Sequence, residues 1–203
     1  MVVERLDPPL SEPLRSDLVA LFSEVFGGDP ERLSRDVAHL ERDRGSVCWI
    51  VREGDLLLGF KWATVRRPGA LHSNLGLVRP SHRRQGLARA LMRAQHAWAE
   101  AQGFAAVTSN TYGRFRPMLL LNLEEGFDLT GVQHAERGLK LLLERRLGPI
   151  EPLRDVPIEA PAPGRSLEVQ GRHALAAAVK RGWSVDGVRR GTDGLLIRLV
   201  SDG

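Results

Sequence analysis

A basic, glycine-containing turn stands between an apolar segment and an amphipathic one, and its residue types suit the binding of an anion. The turn reads Arg83-Arg84-Gln85-Gly86-Leu87-Ala88-Arg89. Backbone N–H groups in the first turn of a helix have no intrahelical partner and lie at the positive end of the helix dipole, so they can hold a phosphate. Gly86 and Ala88 leave room for a pyrophosphate to approach these amides, and the arginines can donate charge-assisted hydrogen bonds. The sequence therefore predicts a pyrophosphate site here.

The spacing Arg83-x-x-Gly86-x-Ala88, placed after Val78-x-Pro80, resembles the acyl-CoA pyrophosphate loop of the GNAT superfamily of N-acetyltransferases. The nucleotide motifs GxxxxGK[ST] and GxGxxG are both absent. The resemblance implies that acetyl-CoA is the cosubstrate, and that main-chain groups at the end of the preceding strand pair with its pantetheine arm. The cofactor-binding residues that it implies are Leu77, Val78, Arg83, Arg84, Gln85, Gly86, Leu87, Ala88, Arg89 and Asn110. For Asn110, a role as a simple strand-ending residue is equally open.

Hydrophobic periodicity around the turn predicts the elements that position it. The order is a strand, two helices, three antiparallel strands, a helix, a strand, a helix and two strands, with the turn between the fourth strand and the third helix. The predicted strands cover residues 2–6, 46–52, 56–65, 71–78, 104–109, 127–133 and 138–143. This order matches the GNAT order over residues 1–146. It implies an α/β (α+β) fold with a splayed, mixed, mainly antiparallel sheet flanked by helices.

The composition changes after residue 146. Residues 147–165 are rich in proline and are predicted to be a linker. Residues 166–203 are predicted to form a small C-terminal appendage, with a helix over 172–180 followed by a hairpin over 183–189 and 195–200. Because about 40 residues rarely fold alone, we expect the appendage to dock on the main domain or on a second copy, as in a homodimer.

His72 is the leading candidate for a general base. Aminolysis of a thioester needs a neutral amine, and an imidazole has a pKa suited to accepting the amine proton. His72 lies eleven positions before Arg83, where many GNAT members place a glutamate with that role. Residues 72, 74 and 76 of the predicted strand are expected to share one face. Two alternatives stay open, since the histidine could merely bond its neighbours and many family members work through water.

The second family motif is the place where this chain departs from the resemblance. Many members carry NxxAxxxYxxxGF, in which the asparagine binds cofactor and the tyrosine protonates the thiolate. The same frame reads Phe115-x-x-Met118-x-x-x-Asn122-x-x-x-Gly126-Phe127 here. Asn122 could bond the sulfur or the pantetheine amides, but a carboxamide is no useful general acid. Tyr112, the only tyrosine, is a candidate substitute acid, with a loop anchor or a substrate contact as its alternatives.

Composition excludes several other classes of protein. The chain has 203 residues, 42% of them hydrophobic, with no apolar run of 18 residues and no signal-peptide pattern, so a cytoplasmic protein without a membrane segment is expected. Net charge is +4, but the basic residues are dispersed and aromatic residues make up 5%, which disfavours nucleic acid binding. Cys48 is the single cysteine and is expected to be a buried thiol. His134 and His173 show no metal-ligand spacing, so no metal is predicted.

Together these features predict an N-acetyltransferase. It would transfer an acetyl group from acetyl-CoA to a primary amine of a small molecule or a peptide, by direct attack in a ternary complex. The acceptor is not specified by any motif. The alternative is a non-catalytic acyl-CoA-binding sensor or interaction module with the same fold, because Phe115 and Asn122 replace the two functional residues of the second motif.

Overall fold

Helices and strands follow one another in the predicted order through the first 146 residues. The computed structural model describes residues 2–43, 45–136, 138–159 and 166–201. The elements are β1 (Val3–Leu6), α1 (Glu12–Phe26), α2 (Pro30–Arg42), β2 (Val47–Glu53), β3 (Leu56–Arg67), β4 (Ala70–Val78), α3 (Leu87–Ala101), β5 (Ala106–Tyr112), α4 (Arg116–Glu124), β6 (Asp128–Ala135), β7 (Gly138–Arg146), β8 (Leu167–Gln170), α5 (Gly171–Lys180), β9 (Trp183–Gly191) and β10 (Gly194–Ser201). They form two compact units, Met1–Val107 and Thr108–Gly203.

The first unit is built on the antiparallel strands β1-β2-β3-β4, in that order. One face of these strands packs on α1 and α2 through a core that includes Cys48, Phe60, Trp62 and Leu77. Side chains alternate along a strand, so the neighbours of these residues point to the other face. There Trp49 of β2 meets Trp98 of α3, with ring centroids 5.6 Å apart. The sheet of this unit therefore has helices on both faces.

The pairing of β3 with β4 is interrupted at Asn74. Trp62 lies opposite Leu75 and Ala63 opposite Ser73, so Asn74 is an extra residue in β4. The Thr64 hydroxyl donates to Asn74 Oδ1 over 3.1 Å. His72, opposite Thr64, and Asn74 thus share one side of the strand, whereas Gly76 lies on the other. The expectation that 72, 74 and 76 share a face is wrong for Gly76, because the bulge shifts the alternation by one residue.

The second unit contains β5, β7 and β6, adjacent in that order, with β6 and β7 forming an antiparallel pair. A separate sheet, β8-β10-β9, follows near the end of the chain and is antiparallel throughout. The predicted helix and hairpin are present in α5, β9 and β10, but the prediction missed β8. The four-residue β8 becomes a strand by pairing with β10, from Leu196 opposite Gln170 to Leu199 opposite Leu167.

These elements confirm the predicted fold class: a mixed α/β protein with a mainly antiparallel sheet flanked by helices, and a second small sheet near the C-terminus. The division at 146 and 165 into main domain, linker and appendage stays a prediction, and residues 160–165 of the linker and 202–203 of the appendage lie outside the described residues. In the described part of the chain, no helix is at once long and apolar enough to pass through a membrane.

Candidate functional site

The basic turn has the backbone geometry of an exposed anion cradle. After β4, residues Pro80–His82 form a single 3-10 turn, and Arg84 and Gly86 then adopt left-handed φ angles of 63° and 81°. Helix α3 begins at Leu87 with no side chain capping its first turn. A Cβ placed on Gly86 would meet nothing within 4 Å, so the approach to the first amides of α3 is open. The basic turn therefore leads directly into the start of α3, and the pyrophosphate site at this turn stays a prediction.

Arg79 fixes the entrance to this turn. Its Nε donates to the Leu57 carbonyl over 3.1 Å and its backbone N–H donates to the Leu58 carbonyl over 2.8 Å. Its guanidinium also pairs with Glu24 of α1. The sequence analysis did not single out Arg79, although its position directly between the end of β4 and Pro80 was a usable signal. Because β3 and α1 hold Arg79, the turn leaves the sheet from a fixed point.

The sequence on both sides of the turn is basic. Residues 56–99 contain no aspartate or glutamate. Arg83 and Arg84 are exposed, and Arg83 Nε lies 3.4 Å from the Val78 carbonyl as a weak hydrogen bond. Arg89 lies in the first turn of α3 and is half-buried. Exposed guanidinium groups beside open helix amides fit a pyrophosphate, because both supply donors to its oxygens.

The end of β4 pairs with β3. Leu77 pairs with Phe60 and Val78 with Gly59. The Leu77 side chain is 8% exposed and belongs to the core under α1 and α2. A Cβ on Gly59 would stand 2.7 Å from the Leu77 carbonyl oxygen, so β3 and β4 approach closely there. His72, five residues earlier, is half-buried on the same side of the sheet as Leu77.

Lys61 is a buried cation beside this strand that the sequence analysis missed. It pairs with Gly76 of β4 and with Trp49 of β2, which places its side chain on the α3 face. A Cβ on Gly76 would stand 2.9 Å from Lys61 Cδ and 3.5 Å from Nζ. Lys61 is 7% exposed, and burial lowers the pKa of its ammonium to about 8. A single lysine inside the apolar run of β3 was the signal available in the sequence.

The remaining candidates lie in the second unit. Asn110 and Tyr112 are half-buried and, two residues apart on β5, share one side of that strand. Tyr112 contacts Phe115 edge-to-face, with ring centroids 6.0 Å apart. Asn122 of α4 is 1% exposed and its Nδ2 donates to the Met118 carbonyl over 2.8 Å. Its Oδ1 has no hydrogen-bond partner among the described residues, which fits a donor such as a pantetheine amide or a thiol.

Two further predictions concern the single cysteine and metal binding. Cys48 is fully buried, as predicted, and burial raises the pKa of its thiol. In the described ranges, no group of three or more His, Cys, Asp or Glu side chains is arranged to hold a metal ion. The absence of a metal remains an expectation of the sequence.

The chain is similar to known proteins both in its sequence profile and in its fold. The profile of the acetyltransferase (GNAT) family matches residues 12–113. An aminoglycoside 6'-N-acetyltransferase complexed with coenzyme A has a TM-score of 0.63 at 14% identity, covering 74% of this chain and 99% of that one. The ribosomal-protein-S18-alanine N-acetyltransferase of Escherichia coli has a TM-score of 0.61 at 13% identity, covering 74% and 97%. IAA acetyltransferase from Bacillus cereus has a TM-score of 0.59 at 14% identity, covering 72% and 99%.

These structural likenesses show the fold, and no sequence among curated proteins matches the chain. The family profile spans half of the chain and includes β4, the basic turn and α3. The protein therefore belongs to the GNAT family of acetyltransferases.

Proposed function

We propose that the protein transfers an acetyl group from acetyl-CoA to a primary amine, by direct attack of the amine in a ternary complex. The observation that carries the proposal is the open first turn of α3, preceded by the left-handed residues Arg84 and Gly86 and by exposed guanidinium groups. This geometry supports pyrophosphate binding, and the family supports acyl transfer.

Each group at the turn has a role in binding. The amides of the first turn of α3, with Arg83 and Arg84, hold the pyrophosphate of CoA. Main-chain groups of Leu77 and Val78 pair with the pantetheine arm, as the resemblance implies. When bound, acetyl-CoA supplies an acyl group activated as a thioester. The remaining turn residues Gln85, Leu87, Ala88 and Arg89 complete the cofactor contact.

Proton transfer accompanies the reaction. The amine nitrogen bonds to the thioester carbonyl carbon, the carbon–sulfur bond breaks, and CoA leaves as a thiolate. His72 accepts the proton that the attacking nitrogen loses, with water as the alternative acceptor. Tyr112 returns a proton to the thiolate, with water again as the alternative. Asn122 cannot donate that proton as an acid. Its Oδ1, which has no hydrogen-bond partner in the described part of the chain, can accept a hydrogen bond from the cofactor.

Binding of the cosubstrate is tested first, by calorimetric titration with acetyl-CoA and with ATP and NADH as controls at equal salt. We expect saturable, selective binding of acetyl-CoA. The double variant Arg84→Glu/Gly86→Glu should abolish binding, because both positions are exposed in the turn and the new carboxylates repel a pyrophosphate. Its circular dichroism should match the wild type. Unchanged affinity in a folded double variant would remove the turn from the site.

Turnover decides between the enzyme and its alternative, a non-catalytic acyl-CoA-binding sensor or interaction module. Free thiol release from acetyl-CoA is measured with kanamycin, spermidine and an alanyl peptide, since similar folds act on an aminoglycoside and on a ribosomal-protein alanine. Amine-dependent thiol release supports the enzyme. Tight binding without release by any of these amines favours the alternative, to which the replaced residues Phe115 and Asn122 point.

Further expectations concern the state of the protein in the cell. We propose a cytoplasmic location and no nucleic acid partner. The C-terminal appendage contacts α4 of the same chain, which supports docking within one chain, and a homodimer is the other arrangement that the sequence predicts. Light scattering on the purified chain tests the dimer. RNA binding that survives saturation with CoA would contradict the second expectation.

A further inference from the structure

The loop after β5 is pressed against the C-terminal sheet. A Cβ placed on Gly113 would stand 2.4 Å from the backbone oxygen of Val185 in β9, and 3.1 Å from its Cβ. The φ angle of Gly113 is outside the left-handed range, so the lack of space, and not conformation, requires glycine here. The Gly113 N–H also donates to the Leu139 carbonyl of β7 over 3.1 Å. Gly113 is therefore fixed between β7 and β9.

Both ends of the next helix, α4, are held by the same C-terminal segment. At its start, the Arg116 guanidinium donates to the Gly182 carbonyl, which lies just before β9. At its end, Arg172 of α5 donates to the Leu123 carbonyl over 3.2 Å. The Arg172 side chain is 9% exposed and its Nε stands 3.8 Å from Asp128. A half-buried guanidinium shared among such acceptors fixes their relative positions.

Residues 112–116 lie between these fixed points. Within this segment the Arg114 guanidinium carbon stands 5.8 Å from the Tyr112 ring centroid and 5.4 Å from that of Phe115. Arg114 is exposed and Phe115 is 49% exposed, so these side chains face solvent. The backbone of the same segment contacts β9 at Gly113. The family profile ends at Gly113. Gly182 and Val185 therefore lie outside the part of the chain that matches the family.

We propose that residues 182–185, the start of β9 and the glycine before it, are a positioning element that sets the backbone of residues 112–116, and with it the Tyr112 side chain, for acetyl transfer. Gly113 and Arg116 are the positioning residues on the receiving side. The catalytic part of this inference rests on the proposed function, because Tyr112 has a role in the reaction only there. The structural part, in which residues 182–185 set the backbone of residues 112–116, does not depend on the proposed function.

Hydrogen exchange tests the structural part without any activity. Gly113→Ala introduces the methyl group that collides with Val185, whereas the control Gly131→Ala, in β6 of the same unit, meets only Leu142 Cδ1 at 3.6 Å. We expect amide exchange over residues 112–116 to accelerate at least tenfold in Gly113→Ala and to stay unchanged in Gly131→Ala. Unchanged protection in Gly113→Ala, or equal acceleration in both variants, would overturn the proposal.

Arg116 gives a second variant if Gly113→Ala does not fold. Arg116→Ala removes the donor to the Gly182 carbonyl, and Arg116→Lys keeps a cation that can donate to it. Faster exchange over residues 112–116 in the alanine variant, with recovery in the lysine variant, supports the proposal. No change in the alanine variant contradicts it.

Kinetics test the catalytic part with the probe amine that gives the highest turnover. For a positioning role, kcat should fall about tenfold to a hundredfold in Gly113→Ala, because a small misplacement of a reacting group is costly. The calorimetric Kd for acetyl-CoA should change less than twofold, since the basic turn is untouched. An equal loss of affinity, or an unchanged kcat with accelerated exchange, would overturn this part. If the wild type shows no turnover, the proposed function fails, and the exchange experiment still decides the structural part.

Discussion

The burial of the Lys61 ammonium leads to a specific prediction about folding stability. Its side chain is 7% exposed, packs over Gly76 and, among the described residues, forms no ion pair or hydrogen bond. Burial lowers its pKa from 10.5 to about 8. At 1.36 kcal/mol per pH unit, the difference corresponds to about 3 kcal/mol of unfavourable free energy in the folded state at neutral pH. Lys61→Met, which keeps the length and loses the charge, should be more stable than the wild type at pH 7 by about that amount.

The pH dependence of this effect has a definite sign. Below about pH 8 both the folded and the unfolded chain hold the Lys61 proton, and the folded protein bears the full cost. Between about pH 8 and 10.5 the unfolded chain binds more protons, so the stability of the wild type rises with pH relative to that of Lys61→Met. The advantage of the variant should therefore shrink across this window.

Urea unfolding at pH 7, 8, 9 and 10 measures the difference in unfolding free energy between the two proteins, so other titrating groups cancel. Lys180→Met is the matched control, because Lys180 is exposed at the end of α5 and its charge is solvated. The control should give a difference near zero that does not vary with pH. The reasoning is refuted if Lys61→Met is less stable than the wild type at pH 7, or if its advantage is constant from pH 7 to 10.

Three further predictions concern the site. Arg84→Gly should raise the unfolding free energy by about 1 kcal/mol, because a non-glycine residue at positive φ is strained, while acetyl-CoA affinity falls about tenfold with the lost guanidinium. Arg83→Gly, at a φ of −68°, should lose affinity without that gain in stability, and equal stability changes in the two variants would contradict the strain argument. His72→Ala should lower kcat by about 10²- to 10⁴-fold and alter the pH–rate profile, and a profile of unchanged shape and height eliminates His72 as the base. Tyr112→Phe keeps the ring contact with Phe115 and removes the hydroxyl, so kcat should fall with an unchanged Kd for acetyl-CoA, whereas an unchanged kcat assigns the proton transfer to water.

The position of the basic turn at the start of α3 was predictable because its causes are local. A basic run, a glycine and the start of an amphipathic helix lie within a few residues, and the structure places them as the pattern indicated. The side of β4 on which Gly76 lies was not predictable, because the bulge at Asn74 depends on how β3 pairs with it. Strand β8 was missed for a similar reason, since only its pairing with the distant β10 makes it a strand. Lys61 was overlooked because its burial depends on the pairing of β3 with β2 and β4, which the local sequence around Lys61 does not show.

Gly86 and Gly113 show which structural requirements for glycine can be predicted from the sequence and which cannot. Gly86 has a left-handed φ of 81° and open space around its Cβ position. Glycine is required there by the local conformation of the turn, which a sequence pattern can predict. The φ of Gly113 lies outside the left-handed range, but there is no space for a Cβ. Glycine is required there by the backbone of Val185, which is far away in the sequence. Alanine at 86 would be strained without a collision, and alanine at 113 would collide without strain. Both positions read as glycine in the sequence, so only the fold distinguishes Gly86, required by the φ angle of the basic turn, from Gly113, required by the close approach of β9.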